Sequence, residues 1–241
     1  MLALPFPEPG QHVLVVTAHP DDVDFGMAGT IARLTDTGVE VAYCITTDGN
    51  QGGSDPAISS EQLAMIRREE QIAAAKVVGV DKVDFLSVPD GRVVADLELR
   101  KKMVAQIRKV RPHVVIAQSP ERIWERFHAS HPDHLATGES VAQAIYPDAR
   151  NPWAFPELLA EGLEPWVVSQ LWLVTYPDPN HFVDVTSTLN KKLEALACHK
   201  SQGANSAETQ ERVRTWLSAV AENAGLPVGS SAEAFFVVNT G

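Results

Sequence analysis

The stretch His12-Val-Leu-Val-Val-Thr-Ala-His-Pro-Asp-Asp22 decides how the chain is read. Its first part, residues 12–18 (HVLVVTA), is a short, nearly unbroken apolar run of β-branched character. Such a run reads as a strand covered on both faces. It ends abruptly in His19-Pro20-Asp21-Asp22, a turn dense in groups that ligate metals or move protons. Working outward, the same alternation repeats. A small amphipathic helix is predicted over 25–36, closed by Gly38. Strands are predicted over 39–47, 83–87, 113–118 and 170–175, with a short one over 181–185. Ser59 and Gln62 form an S-x-x-Q capping box that opens a helix to about Val78, ended by Gly79. Further helices are predicted over 96–111, before Pro112, and over 130–146, 186–199 and 206–225. The tail 232–238 reads either as helix or as a last strand.

Strands alternating with helices imply right-handed crossovers and an α/β domain with a mostly parallel sheet and helices on both faces, a Rossmann-like arrangement spanning residues 1–241. Ligands in such sheets bind beyond the carboxyl ends of the strands. Two motif-bearing loops fall there: His19-Pro20-Asp21-Asp22, and Ser130-His131-Pro132-Asp133-His134 after the fourth strand.

The composition narrows the function classes. The chain has 241 residues, 44% hydrophobic and 21% charged, which fits a folded domain with a substantial core. The net charge of −11 speaks against a nucleic-acid partner and against docking on anionic lipid. Cys44 and Cys198 lack any CxxC spacing and read as reduced core residues of a cytoplasmic protein. No apolar run is long enough for a membrane span. Residues 1–10 carry three prolines and no basic region, unlike a secretory signal.

The two loops suit a hydrolytic metal site, which needs three N/O ligands, an open position for water and a separate general base. Asp21 and Asp22 diverge on a turn, so one can bind metal while the other faces the reacting water. His131 and His134 share one face of a helix's first turn, so one can ligate while the other reaches the substrate carbonyl. Taken singly, each loop could equally be ordinary turn and helix-cap chemistry; the pair, each at a strand's carboxyl end, is much harder to dismiss. The other histidines read as structural, with His128 and His181 the two to watch. Glu70 lies in, and Arg67 beside, the apolar stripe (Leu63, Ile66, Ala73, Val77) of the helix that the Ser59 capping box opens, where an internal ion pair is the ordinary reading. The segment 147–166, rich in proline and aromatics, reads as packing, as a lid over a substrate pocket, or as a homo-oligomer contact.

These motifs resemble the LmbE-like, or PIG-L, deacetylases, zinc enzymes that remove an N-acetyl group, usually from an N-acetylglucosamine-type sugar. The resemblance runs from about Val13 to Gln202. It includes Thr47-Asp48-Gly49 with Gly52, Arg67-Arg68-Glu69-Glu70 with Ala73 to Gly79, Pro89-Asp90-Gly91, and Asp184-Val185-Thr186 with Lys192, Ala195, His199, Ser201 and Gln202. By matching position it implies His19, Asp22 and His134 as Zn2+ ligands, with Fe2+ or Co2+ as substitutes that suit the same donors. It implies Asp21 as general base and His131 as the electrophilic or acid group. Arg67 and Asp90 would hold substrate hydroxyls, and Asp133 would orient a histidine. Ala129 stands where members acting on mycothiol-type substrates often carry tyrosine, which points away from that substrate. The expected partner is a small N-acetylated sugar or conjugate. Two other classes compete with this reading. One is a non-haem Fe(II) oxygenase using His19-x-Asp21 with His134. The other is a non-catalytic Rossmann-type binding module, for which neither glycine fingerprint is present.

Overall fold

β1 (His12–Thr17) is the spine of the molecule, buried along its length past His12. Its residues alternate between two apolar layers. Val13 and Val15 pack into one and Leu14 and Val16 into the other, so the unbroken apolar run follows from double coverage. The structure, a computed structural model, describes residues 6–53 and 55–241. Part of the stretch read at 1–10 (Met1–Pro5) and Ser54 of the loop 48–59 therefore lie outside the described residues.

β1 pairs in parallel with β2 (Glu40–Thr47) on one side and β4 (Val114–Gln118) on the other. β3 (Lys82–Val88) follows β2, and β5 (Gln170–Val174) follows β4, both parallel. The tail forms β7 (Ala232–Asn239), which pairs antiparallel with β5 and with β6 (His181–Asp184). The seven-stranded order is β3-β2-β1-β4-β5-β7-β6. The chain therefore winds outward from β1 and then returns to its other flank. The crevice between the carboxyl ends of β1 and β4 is the topological switch point. A hydrogen bond from Ala18 N to Gln118 Oε1 (2.8 Å) ties those two ends together.

Helices cover both faces. α2 (Ala28–Asp36), α3 (Ser60–Val77) and α7 (Leu189–Leu196) lie on the Val13/Val15 side, with α8 (Ala207–Asn223) packed outside α7. α4 (Leu97–Val110) and α5 (Pro132–Gln143) cover the other side. The Ser59 capping box forms as its sequence specifies: Ser59 Oγ accepts from Gln62 N, and Ser59 N donates to Gln62 Oε1.

Three elements differ from their sequence reading. The helix expected over 25–36 is two: α1 (Asp22–Gly26) and α2, broken at Met27. Buried Lys192 donates to the carbonyls of Asp24 (2.8 Å) and Phe25 (2.7 Å), which a continuous helix would need for itself. Its partner Glu233 accepts from the N–H groups of Gly29 and Thr30, which a continuous helix would pair with the carbonyls of Phe25 and Gly26. The helix expected over 130–146 is α5, leading into a π-helical turn at Ala144–Asp148. The helix expected over 186–199 is a 3-10 turn at Thr186–Thr188 and then the shorter α7.

The segment 147–166, with α6 (Pro156–Ala160), packs at the opposite end of the sheet from the two motif loops. Trp166 Nε1 donates to Pro112 O just before β4, and Arg108 donates to the carbonyls of Asp148, Ala149, Asn151 and Ala154. From that position it cannot close over the crevice of its own chain, so the lid reading fails on geometry. No helix among the described residues is long and apolar enough to cross a membrane.

Candidate metal centre and active site

The switch point brings the loop after β1 against the start of α5. Gly138 makes the close approach of α5 feasible: a Cβ there would sit 2.4 Å from Gln118 O. As a result His19 and His134, 115 residues apart, face each other, with Nδ1 of the first 3.2 Å from Nε2 of the second. The Asp22 carboxylate lies between them, Oδ2 3.4 Å from His19 Nδ1 and Oδ1 3.2 Å from His134 Nε2. Donors about 2.0–2.1 Å from a common tetrahedral ion lie about 3.3–3.4 Å apart, and each imidazole nitrogen lies at about that distance from the other and from one oxygen of the Asp22 carboxylate. His131 offers a further nitrogen to the same neighbourhood. The carboxylate that meets the two imidazoles is that of Asp22. Asp21 turns instead to Arg67, so an H-x-D…H triad does not assemble, and the doubly wound sheet is unlike the antiparallel folds of such oxygenases.

The far nitrogen of His19 is held as firmly as the near one. Its Nε2 lies 3.0 Å from Asp90 Oδ1 and 3.3 Å from Asp133 Oδ2. Asp133 is in turn fixed by the N–H groups of Gly91 and Val93, and Asp90 by Gln51 N. Burial alone would lower the His19 imidazole. Hydrogen bonds with Asp133, Asp22 and Asp90 outweigh it and push the ring up to about 12. Such a cage of carboxylates around one ring holds positive charge, as a proton or as a metal cation. Despite its burial, Asp22 is held well below the usual carboxylate range by His134 and His19, and so is ionised and fit to ligate.

Asp21 sits beside this group in a left-handed conformation, φ 101° and ψ −27°, which a non-glycine residue adopts only when its surroundings impose it. Its Oδ2 lies 3.2 Å from Arg67 NH2, and its N–H donates to Gln71 Oε1 at 2.8 Å. Burial and the charge of Asp22 push its carboxyl up to about 7, against the pull of Arg67. Arg67 is itself buried and donates to the carbonyls of Gly49 and Pro20. Arg67 and Glu70 therefore do not pair with each other: Glu70 accepts from Ser201 N and Oγ instead. The glycine loop after β2 lies flat on the guanidinium; a Cβ on Gly52 would come within 2.1 Å of Arg67 NH1. His131 caps α5, its Nδ1 accepting from Asp133 N, which leaves the ring proton on Nε2. Burial and the charges of His19 and His134 hold it below its usual value, so the ring is a neutral Nε2–H donor at pH 7.

His19, Asp21, Gln51, Arg67, Asp90 and His131 line one open cavity of about 420 Å³. The residues singled out in the two loops converge around His19, together with Arg67 of α3 and Asp90 from the turn after β3. His128 is exposed and His181 meets Trp172 edge-to-face, so neither joins them. Sequence reasoning missed Gln71, Asp24 and Glu233. A glutamine mid-helix or an acidic residue in a strand gives no signal until the residue it meets is known. Both cysteines are free, Cys44 in the core and Cys198 half-buried.

Comparison with known proteins gives a consistent picture. The family model described as PIG-L, GlcNAc-PI de-N-acetylase, matches residues 14–145. The chain is 36% identical over 194 residues to a diacetylchitobiose deacetylase of Thermococcus kodakarensis, covering 79% of this chain and 69% of that protein. It is 32% identical over 200 residues to a probable N-acetyl-alpha-D-glucosaminyl L-malate deacetylase 2 of Bacillus anthracis, covering 80% and 81%. Its fold superposes on N,N'-diacetylchitobiose deacetylase from Pyrococcus horikoshii with a TM-score of 0.86 at 33% identity, over 95% of this chain and 84% of that one.

Proposed function

The chain belongs to the PIG-L family of GlcNAc-PI de-N-acetylases, and on that premise we propose that it is a zinc hydrolase that removes the N-acetyl group from a small N-acetylglucosamine-containing sugar or conjugate. One observation carries the reading. The His19, Asp22 and His134 donors meet at 3.2–3.4 Å beside a carboxyl, that of Asp21, poised at about 7.

His19, Asp22 and His134 would hold the ion; Zn2+ suits two imidazoles and a carboxylate, and Fe2+ or Co2+ suits them too. When bound, such an ion supplies Lewis-acid activation of water and of the acyl carbonyl. The chain's own groups supply the rest. Asp133 and Asp90 fix the orientation of the His19 ring. Asp21, as general base, takes a proton from the attacking water as the new C–O bond forms. His131 donates its Nε2–H to the developing oxyanion. Asp21 then returns the proton to the nitrogen as the C–N bond breaks, leaving acetate and the free amine. Arg67 and Asp90 border the cavity where the sugar's hydroxyls would lie, although both are also bonded within the protein.

The test is acetate release from a panel of N-acetylated sugars and conjugates by zinc-loaded protein, run beside Asp21→Ala with metal content measured for both. The expected result is turnover by the parent and a loss of at least about 10³-fold in Asp21→Ala with its zinc retained. A parent protein that binds no divalent ion overturns the ligand assignment. An Asp21→Ala variant with full turnover overturns the base.

A further inference from the structure

α3 grips Asp21 twice. Arg67 meets its carboxylate, and Gln71, one turn further along the same face, accepts from its N–H. Gln71 is fully buried and cannot turn over. Its Nε2 donates to Asp24 Oδ2 at 2.9 Å, so the amide oxygen is the end presented to Asp21. Asp24 is anchored in turn: His199 Nε2 lies 2.7 Å from the same Oδ2, with both side chains fully buried. Behind it, Lys192 binds the carbonyls of Asp24 and Phe25 and pairs with Glu233 of β7 at 2.8 Å. A buried polar chain thus leads from the sheet to the backbone of Asp21, a non-glycine residue in a left-handed conformation.

That conformation is costly for a non-glycine residue when nothing supports it. Relaxing φ and ψ at Asp21 would swing its carboxylate away from the cavity while His19 and Asp22, held by their own contacts, stayed in place. We propose that Gln71 is a positioning residue for the deacetylation step: its amide oxygen, fixed by Asp24 and His199, holds the Asp21 backbone in the left-handed conformation that aims the Asp21 carboxylate at the reacting water. The inference rests on the reading of Asp21 as the general base. A misplacement of about 1 Å in such a group costs roughly 10²-fold in rate.

The experiment compares Gln71→Met, Gln71→Glu and Asp21→Asn with the parent, all zinc-loaded, measuring kcat, KM, metal content and Tm. Gln71→Met keeps the length and removes the acceptor. Gln71→Glu keeps an oxygen within reach of the Asp21 N–H. The expected result is an inactive Asp21→Asn, and a Gln71→Met whose kcat falls about 10- to 100-fold with KM within about twofold and metal content unchanged. Gln71→Glu should retain several times the kcat of Gln71→Met. If Gln71→Met lowers Tm but keeps its kcat per zinc-loaded molecule, the residue is only structural and the proposal is overturned. Loss of zinc in Gln71→Met overturns it also, since the support would then be for the ligands. If Gln71→Met does not fold, Gln71→Asn decides, because it keeps the amide but withdraws its oxygen from the Asp21 N–H by one carbon. In a folded, zinc-loaded Gln71→Asn, a kcat below the parent's supports the proposal and a kcat equal to it overturns it. Full activity in Asp21→Asn removes the base reading itself, and this proposal with it.

Discussion

Asp21 is pushed up to about 7 by burial and by the charge of Asp22, and pulled down by Arg67. A base must be ionised to take a proton, so kcat/KM should climb with pH through that region and level off above it. A bound cation acts on Asp21 in the same direction as Arg67, so the midpoint of the acid limb should lie at or below about 7. Arg67→Met removes the largest of the cationic side-chain influences on Asp21. Its pH–rate profile should show the limb displaced upward, along with a lower plateau because Gly49 and Pro20 also lose their donor. A displacement downward, or none, would mean that the guanidinium does not act on the base. At this scale the sequence was most informative for residues whose chemistry is local. His19, Asp21, Asp22, His131 and His134 stand in two short motifs and can be picked out by side-chain type and by position at strand ends. Arg67 stands out in the sequence by its place beside an apolar stripe, but its role at the site, like that of Asp90, comes through resemblance. Their internal partners, the Gly49 and Pro20 carbonyls for one and His19 and Gln51 for the other, depend on loops that no periodicity describes.

Between α1 and α2 the deciding contact is the pair Lys192–Glu233, with both side chains wholly buried. Here the local pattern misleads. Residues 25–36 have helical spacing, and nothing nearby in sequence says that a lysine far along the chain will claim two of the carbonyls. The strands were legible because double burial leaves an unbroken apolar run, whereas β7, half-covered and alternating, left helix and strand equally plausible for the tail. Glu233→Gln should expose how much the break depends on the pair. It leaves the Lys192 ammonium buried without its counter-charge, and breaking such a pair typically costs about 3–5 kcal/mol. The urea midpoint should fall accordingly with the m-value unchanged, because the surface exposed on unfolding stays the same. A midpoint within experimental error of the parent would show that the backbone carbonyls alone satisfy Lys192.

For the molecule as a whole, the strand order β3-β2-β1-β4-β5-β7-β6 is what turns two motifs into one site. Alternation of strand and helix made the sheet and its active edge legible in the sequence. It did not show which strands would be neighbours, and hence that the loops after β1 and β4 would share a crevice. The antiparallel closure by β7 was likewise out of reach, because pairing partners are chosen by the packing of the entire sheet. The staple between Ala18 N and Gln118 Oε1 has a temporal consequence. His19 follows β1 and His134 lies in α5 after β4, so no short piece of chain holds both, and the contact that unites them spans 115 residues. Closing such a contact is slow compared with forming helices. Capture of an ion is then a clock for the last stage of refolding. In a stopped-flow experiment started from urea with zinc on a coloured chelator, the helical signal should recover first. The chelator's colour should change only afterwards, when the two halves of the sheet have met.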